Sequence, residues 1–182
     1  MQAQIIKLSK KETPKYETVS SAGLDLRLDL SRVLDFPVKV IGEGGFYKGK
    51  DADLIKLAPG SRALLPTGIK LQFVPNKVHE NSDEFECLDD DEIYAGFLHA
   101  RSGLAFKKGA ALCNGVGVID MDYTGEILVP IINLSNEDLW LEDNERICQL
   151  VVQKITQLNF TEVDSFKETE RGEGGFGHTG TK

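Results

Sequence analysis

Residues 24–30 read LDLRLDL, with Leu24, Leu26, Leu28 and Leu30 on one side of an extended chain and Asp25, Arg27 and Asp29 on the other. Side chains alternate faces in this way in a β-strand, so the period of two specifies a strand with one apolar face. Further strand candidates are AQIIKL, RALLPTGIKLQFV, IYAGFLHA, AALCNGVGVI, EILVPIINL and RICQLVVQKI, set among frequent Gly and Pro. No stretch of ten or more residues carries the 3.6-residue apolar spacing of a helix, and one short helical turn is expected near Leu104–Lys108. Many short strands separated by turns predict an all-β sandwich or jelly roll, whose sites are built from loops and strand ends.

At 182 residues with 41% hydrophobic content, the chain has the material for one domain with a real core. No apolar run approaches the ~20 residues that span a bilayer, and Met1–Lys10 has neither a signal-peptide nor a transit-peptide character. A cytoplasmic location is expected, or a nuclear one in a source with a nucleus. Cys87, Cys113 and Cys148 are odd in number and widely spaced, which argues for reduced, mostly core thiols and against disulfides or zinc. A net charge of −8 excludes duplex nucleic acid and an anionic membrane as natural partners, since both need dense Lys/Arg. An anionic ligand would have to be held by a few placed cations or bring its own metal.

Two stretches read as additions to this scaffold, about residues 36–53 and 77–92. The first contains GEGGF at Gly42–Phe46, read as a hairpin turn, and the second includes NSDEFECLDDDE, seven carboxylates in twelve residues with no cation. That acidic run lacks the ordered spacing of a calcium loop and is expected to be solvated. After Asn159 the chain turns polar and loses all period, so residues 1–159 are expected to form the β domain and residues 160–182 a linker and terminal arm. The arm ends in RGEGGFGHTGTK, which spells G-x-G-x-x-G at Gly172–Gly177 and comes close to a phosphate-binding loop at its end. Both motifs require a following helix, and too few residues remain to make one. The chemistry that survives is glycine amides facing anions, a guanidinium fork at Arg171 and the flat face of Phe176, against a frayed tail as the alternative.

Three internal stretches could carry chemistry. In CNGVGVIDMDYTGEI, Cys113–Ile127, a hairpin turn accounts for Asp122, Thr124 and Gly125 but not for Asp120, which follows Val118 and Ile119 inside an apolar run. A carboxylate there is either paired or used to orient water, because a buried unpaired charge is costly. ARSGLAFKKGA places Arg101, Ser102 and Gly103 at a strand end, where a hydroxyl and amides either receive phosphate oxygens or begin a capped short helix. NERICQLVV sets Arg146 and Gln149 among apolar residues, as a satisfied pair or as site residues.

Taken in order, AGLDLRL from Ala22, ARSGLAF from Ala100, NGVGVIDMDYTGE from Asn114, RICQLVV from Arg146 and RGEGGFGHTG from Arg171 resemble the five motifs of the trimeric dUTPase family. The resemblance implies a jelly roll, a homotrimer with active sites at subunit interfaces, and hydrolysis of dUTP to dUMP and pyrophosphate with Mg²⁺ carried on the triphosphate. It implies that Asp120 is the general base for the attacking water and that Arg146 braces it. Tyr123 would lie against the deoxyribose and exclude a 2′-hydroxyl, while Asn114 and hairpin backbone such as Gly117 read the uracil edge. Arg101, Ser102, Gly103 and Gln149 would line the phosphates, and Asp25 would hold waters around the metal. From the arm, Arg171 would grip the γ-phosphate, Phe176 would stack on uracil, and Gly177, His178 and Thr179 would wrap the triphosphate as a lid.

Ala100, Thr124 and His178 depart from the family's usual Pro, Arg and Ser, and none of them is Asp120. The two additions are where a regulatory protein partner would bind. A dCTP deaminase on the same scaffold would need a Glu five residues past Gly125, and that position is Pro130, which transfers no proton. A binding module without catalysis would show a broken base or a missing arm, and this sequence has both in place.

Overall fold

A computed structural model describes residues 2–33, 38–74 and 93–175. The chain builds twelve strands and one helix among these residues, and every strand pairing is antiparallel. One sheet runs β1 (Gln2–Lys7), β6 (Arg62–Val74), β10 (Glu126–Asn133), β8 (Ala110–Leu112), with β3 (Lys39–Ile41) also on β6. The second runs β2 (Leu24–Arg27), β12 (Arg146–Lys154), β7 (Tyr94–Ala100), β9 (Gly117–Ile119). A third joins β11 (Leu139–Glu142), β5 (Leu54–Leu57) and β4 (Gly44–Tyr47). The helix α1 (Ser102–Lys108) covers the expected helical turn and starts two residues earlier. The all-β class expected from the alternating runs is what forms.

Leu26, Leu28 and Leu30 meet Ile55, Leu65, Phe73, Leu98, Ile131 and Leu150 in one core, all of them at most 1% exposed. The opposite face of the same segment is not solvated. Asp25 and Asp29 are buried as well, because each carboxylate has cationic or hydroxyl partners. Burial alone would push the Asp29 carboxyl up, but hydrogen bonds from Ser31 and Ser9 and the charge of Lys11 hold it below the usual carboxylate range.

Two turns differ from their sequence reading. GEGGF is a corner instead of a hairpin: β3 pairs with β6 and β4 with β5, so the chain changes sheet between Ile41 and Gly44. The run AALCNGVGVI is likewise two strands, β8 and β9, broken by a turn in which the Gly115 amide bonds the Leu112 carbonyl at 3.1 Å. Thus β8 pairs with β10, and β9 with the intervening residues forms an excursion to the other sheet. Of the two additions, the first contributes strands to the sheets, and the acidic run lies outside the described residues.

The long strand β6 is bulged where PTG interrupts it. The register with β10 shifts between Glu126 and Leu128, the Thr67 hydroxyl bonds the Ile127 carbonyl at 2.7 Å, and Gly68 sits at φ +69°. A Cβ at Gly68 would collide with the Asp29 carboxylate, whose Oδ2 has no hydrogen-bond partner. Gly68→Ala is therefore expected to cost at least about 2 kcal/mol, from left-handed strain plus the displaced carboxylate. Urea unfolding against Gly60→Ala, where φ is +75° but the space is open, separates the two causes. Equal losses in both would mean that Asp29 adds nothing.

Candidate active site

Residues 146 and 149 would face opposite ways in a regular strand. A register shift between Arg146 and Cys148 in the pairing of β12 with β2 returns them to one face and leaves Ile147 and Cys148 both in the core. Burial pushes the Cys148 thiol up to about 12, so it is inert packing. On the outer face Gln149 lies opposite Asp25, and Arg146 opposite Arg27. Gly23 leaves room for Gln149, because a Cβ there would stand 3.2 Å from the glutamine Cβ.

Asp25 is the centre of this face. Its Oδ1 accepts from Arg101 Nε at 2.8 Å and its Oδ2 from Arg146 Nη1 at 3.0 Å. Arg101 also reaches the Arg146 carbonyl at 3.4 Å. The carboxylate is buried while both guanidiniums are partly exposed, so two cations are aimed outward from a fixed anionic post. Arg101 is the residue that caps α1, and no side chain caps it; Ser102 and Gly103 open the helix, both exposed. The short helix expected to start at Ser102 does form, without a side-chain cap at its start. Gly103 has no packing reason to be glycine, since a Cβ there would meet nothing within 4 Å.

Asp120 is exposed, against the expectation that an apolar run would bury it. Ile119 and Met121 on either side are both under 10% exposed, and anchoring both neighbours drives the residue between them outward. The Tyr123 amide bonds the Asp120 carbonyl at 3.2 Å, which tightens the corner. The carboxylate borders a cleft walled by Ile93, Tyr94, Asp122, Ile155 and Gln157. Tyr123 folds back over Gly125 and donates to the Glu126 carbonyl at 2.8 Å, leaving its ring 41% exposed. Asn114 is exposed in the turn before β9, and Gly117 packs against Leu98, where a Cβ would stand at 3.1 Å.

These two groups do not meet within one chain. Ile119 lies opposite Gly96 near the start of β7, and β9 runs antiparallel to it, so Asp120 continues away from Arg101. Six residue steps of ~3.3 Å separate the two positions along the strand, on the order of 20 Å. Arg146 accordingly pairs with Asp25 and with Glu17, not with Asp120 as expected for a brace. Arg171 bonds its own turn, donating from Nε to the Gly174 carbonyl at 2.8 Å. Phe176, Gly177, His178 and Thr179 lie outside the described residues. Of the three thiols Cys148 is core, Cys113 is exposed, and Cys87 lies outside the described residues.

Both oxygens of Asp25 are engaged by arginine, and among the described residues no group of three His, Cys, Asp or Glu side chains could hold a metal. Among those residues no helix is long and apolar enough to cross a membrane. Glu17, 3.3 Å from Arg146, was not legible in the sequence, because it sits in an irregular segment far from its partner. No periodicity points to it.

A model of the dUTPase family matches residues 85–180 of this chain. The deoxyuridine 5′-triphosphate nucleotidohydrolase of Finegoldia magna is 38% identical over 180 residues, covering 99% of each chain. That of Fusobacterium nucleatum is also 38% identical, covering 99% of this chain and 97% of its own. A solved dUTPase of Staphylococcus bacteriophage 80alpha, bound to dUPNHPP, superposes with a TM-score of 0.68 at 22% identity, covering 98% of both chains. With five ordered motifs, an antiparallel β fold and full-length relatives agreeing, the chain belongs to the dUTPase family of nucleotide hydrolases.

Proposed function

We propose that this protein hydrolyses dUTP to dUMP and pyrophosphate as a homotrimer, with each site assembled from different copies. The observation that carries this is the separation of Asp120 from the Asp25–Arg101–Arg146 cluster by the length of β7. A second copy can supply what one chain holds ~20 Å away. The curated relatives are named for the same reaction, and the phage neighbour was solved with dUPNHPP.

Asp120 takes a proton from a water whose oxygen attacks the α-phosphorus in line. The bond from that phosphorus to the α,β-bridging oxygen breaks, and pyrophosphate leaves. Arg101, Ser102, Gly103 and Gln149 receive phosphate oxygens, with the two guanidiniums oriented by Asp25. Gly103 suits this role, since a glycine in the first turn of a helix with empty space around it lets a ligand approach. Asn114 and the backbone at Gly117 read uracil, Tyr123 excludes a 2′-hydroxyl, and Arg171 with Phe176, Gly177, His178 and Thr179 closes the site. Asp25 would hold waters of a Mg²⁺ ion carried mainly by the triphosphate, on the acceptor sites its two arginines leave open, and such an ion would neutralise phosphate charge. The two additions, the first of which contributes β3 and β4, are where a regulatory protein partner would bind.

The test is pyrophosphate release across dUTP, dCTP, dTTP and UTP. Turnover of dUTP at least ~10²-fold above each of the others is expected, because a site that hydrogen-bonds a base edge rejects analogues that leave its groups unpaired. Release of ammonia from dCTP would instead favour the deaminase, for which Pro130 offers no proton-transfer group.

A further inference from the structure

Arg146 has two acidic partners of different character. Asp25, 7% exposed, is a fixed post, whereas Glu17 is 47% exposed and meets the same Nη1 at 3.3 Å. Glu17 is delivered there by an anchored segment. Lys11 bonds the Leu28 carbonyl at 2.8 Å and pairs with Asp143 and Asp29, tying the chain six residues before Glu17 to the end of β2. Immediately after Glu17 the Thr18 amide bonds the Ser21 hydroxyl at 3.0 Å and the Ser21 amide returns to the Thr18 carbonyl at 3.1 Å. Glu17 thus lies between the Lys11 anchor and a closed turn at Thr18–Ser21.

Charge then decides what it does. Asp25 neutralises one of the two guanidiniums of Arg101 and Arg146, leaving one positive charge, and Glu17 cancels that charge. A polyanion approaching Arg146 meets an occupied cation and a like charge beside it. Exposed ion pairs are weak, so a multiply charged phosphate displaces Glu17 where a singly charged anion competes poorly.

We propose that Glu17 is a specificity-determining residue: a built-in anion on Arg146 that incoming phosphate must displace, and that lowers the site's affinity for pyrophosphate and for weaker anions. This rests on the Asp25 cluster being the phosphate site. Calorimetric titration of inorganic pyrophosphate into full-length wild type and Glu17→Gln tests it, with dUTP hydrolysis measured on the same wild-type sample. Binding should tighten roughly three- to tenfold in the variant at low salt, and the gain should shrink near 0.5 M salt, where the Debye length is only about 4 Å. Glu17→Asp, which shortens the reach but keeps the charge, should lie between the two. An affinity that is unchanged or weaker in Glu17→Gln overturns the proposal, weaker binding meaning that Glu17 positions Arg146 for its ligand. A wild type that binds pyrophosphate but leaves dUTP intact overturns the hydrolase mechanism instead.

Discussion

Replacing Asp120 by Asn is expected to lower kcat by at least ~10²-fold while leaving assembly and dUTP binding intact, in keeping with the ~10²–10⁴ attributed to a positioned acid or base. Asn has the same shape, so Ile119 and Met121 remain seated and the corner closed by Tyr123 is preserved. What is lost is the proton acceptor. Exposure of Asp120 in a single chain does not weaken this expectation, because an exposed carboxylate has its acceptor sites open to water. Asp25 differs in being buried, with one acceptor site on each oxygen taken by Arg101 or Arg146. Steady-state kinetics together with the measured mass of the assembly check the prediction. A variant that keeps more than half of the wild-type kcat with its mass unchanged would remove Asp120 from the role of base.

The core strands were legible because their signal is local. Leu26, Leu28 and Leu30 alternate, and alternation alone buries them. The position of Asp120 was not legible, since an apolar run suggests burial, whereas the anchored flanks turn this residue out. The shared face of Arg146 and Gln149 depends on a bulge, and a bulge is set by the partner strand. The corner at GEGGF and the break between β8 and β9 have the same origin: glycines mark that the chain turns, but which sheet it joins next depends on distant pairings. For the site, the residue types were readable, while the distance between Asp120 and Arg101 followed only from the register of β9 on β7.

Deleting residues 171–182 is expected to leave folding and assembly intact yet to lower kcat/KM roughly 10²–10⁴-fold. A charge-assisted grip contributes about 1.5–3 kcal/mol and a base stacked on an aromatic ring about 1–3 kcal/mol, each 1.4 kcal/mol being tenfold. Folding should survive because the described part of the segment stands outside the core: residues 156–173 are exposed, and the backbone of the β domain is last tied down by the Ile155 amide on the Ile93 carbonyl at 2.9 Å. Leu158, Phe160, Val163 and Phe166 are 71%, 90%, 54% and 91% exposed, so the approach to the arm packs on nothing among the described residues of one chain, and the divided site proposed above expects the arm to reach another copy. A mixing experiment uses that expectation. The arm-deleted chain is co-refolded with full-length Asp120→Asn, each inactive alone, so that mixed assemblies can pair an intact Asp120 with an arm from the other chain. Activity should return in proportion to the mixed species seen by mass measurement. If mixed trimers form and the sample stays as inactive as its parents, Asp120 and the arm of each site come from one chain, and the divided site is wrong for this protein.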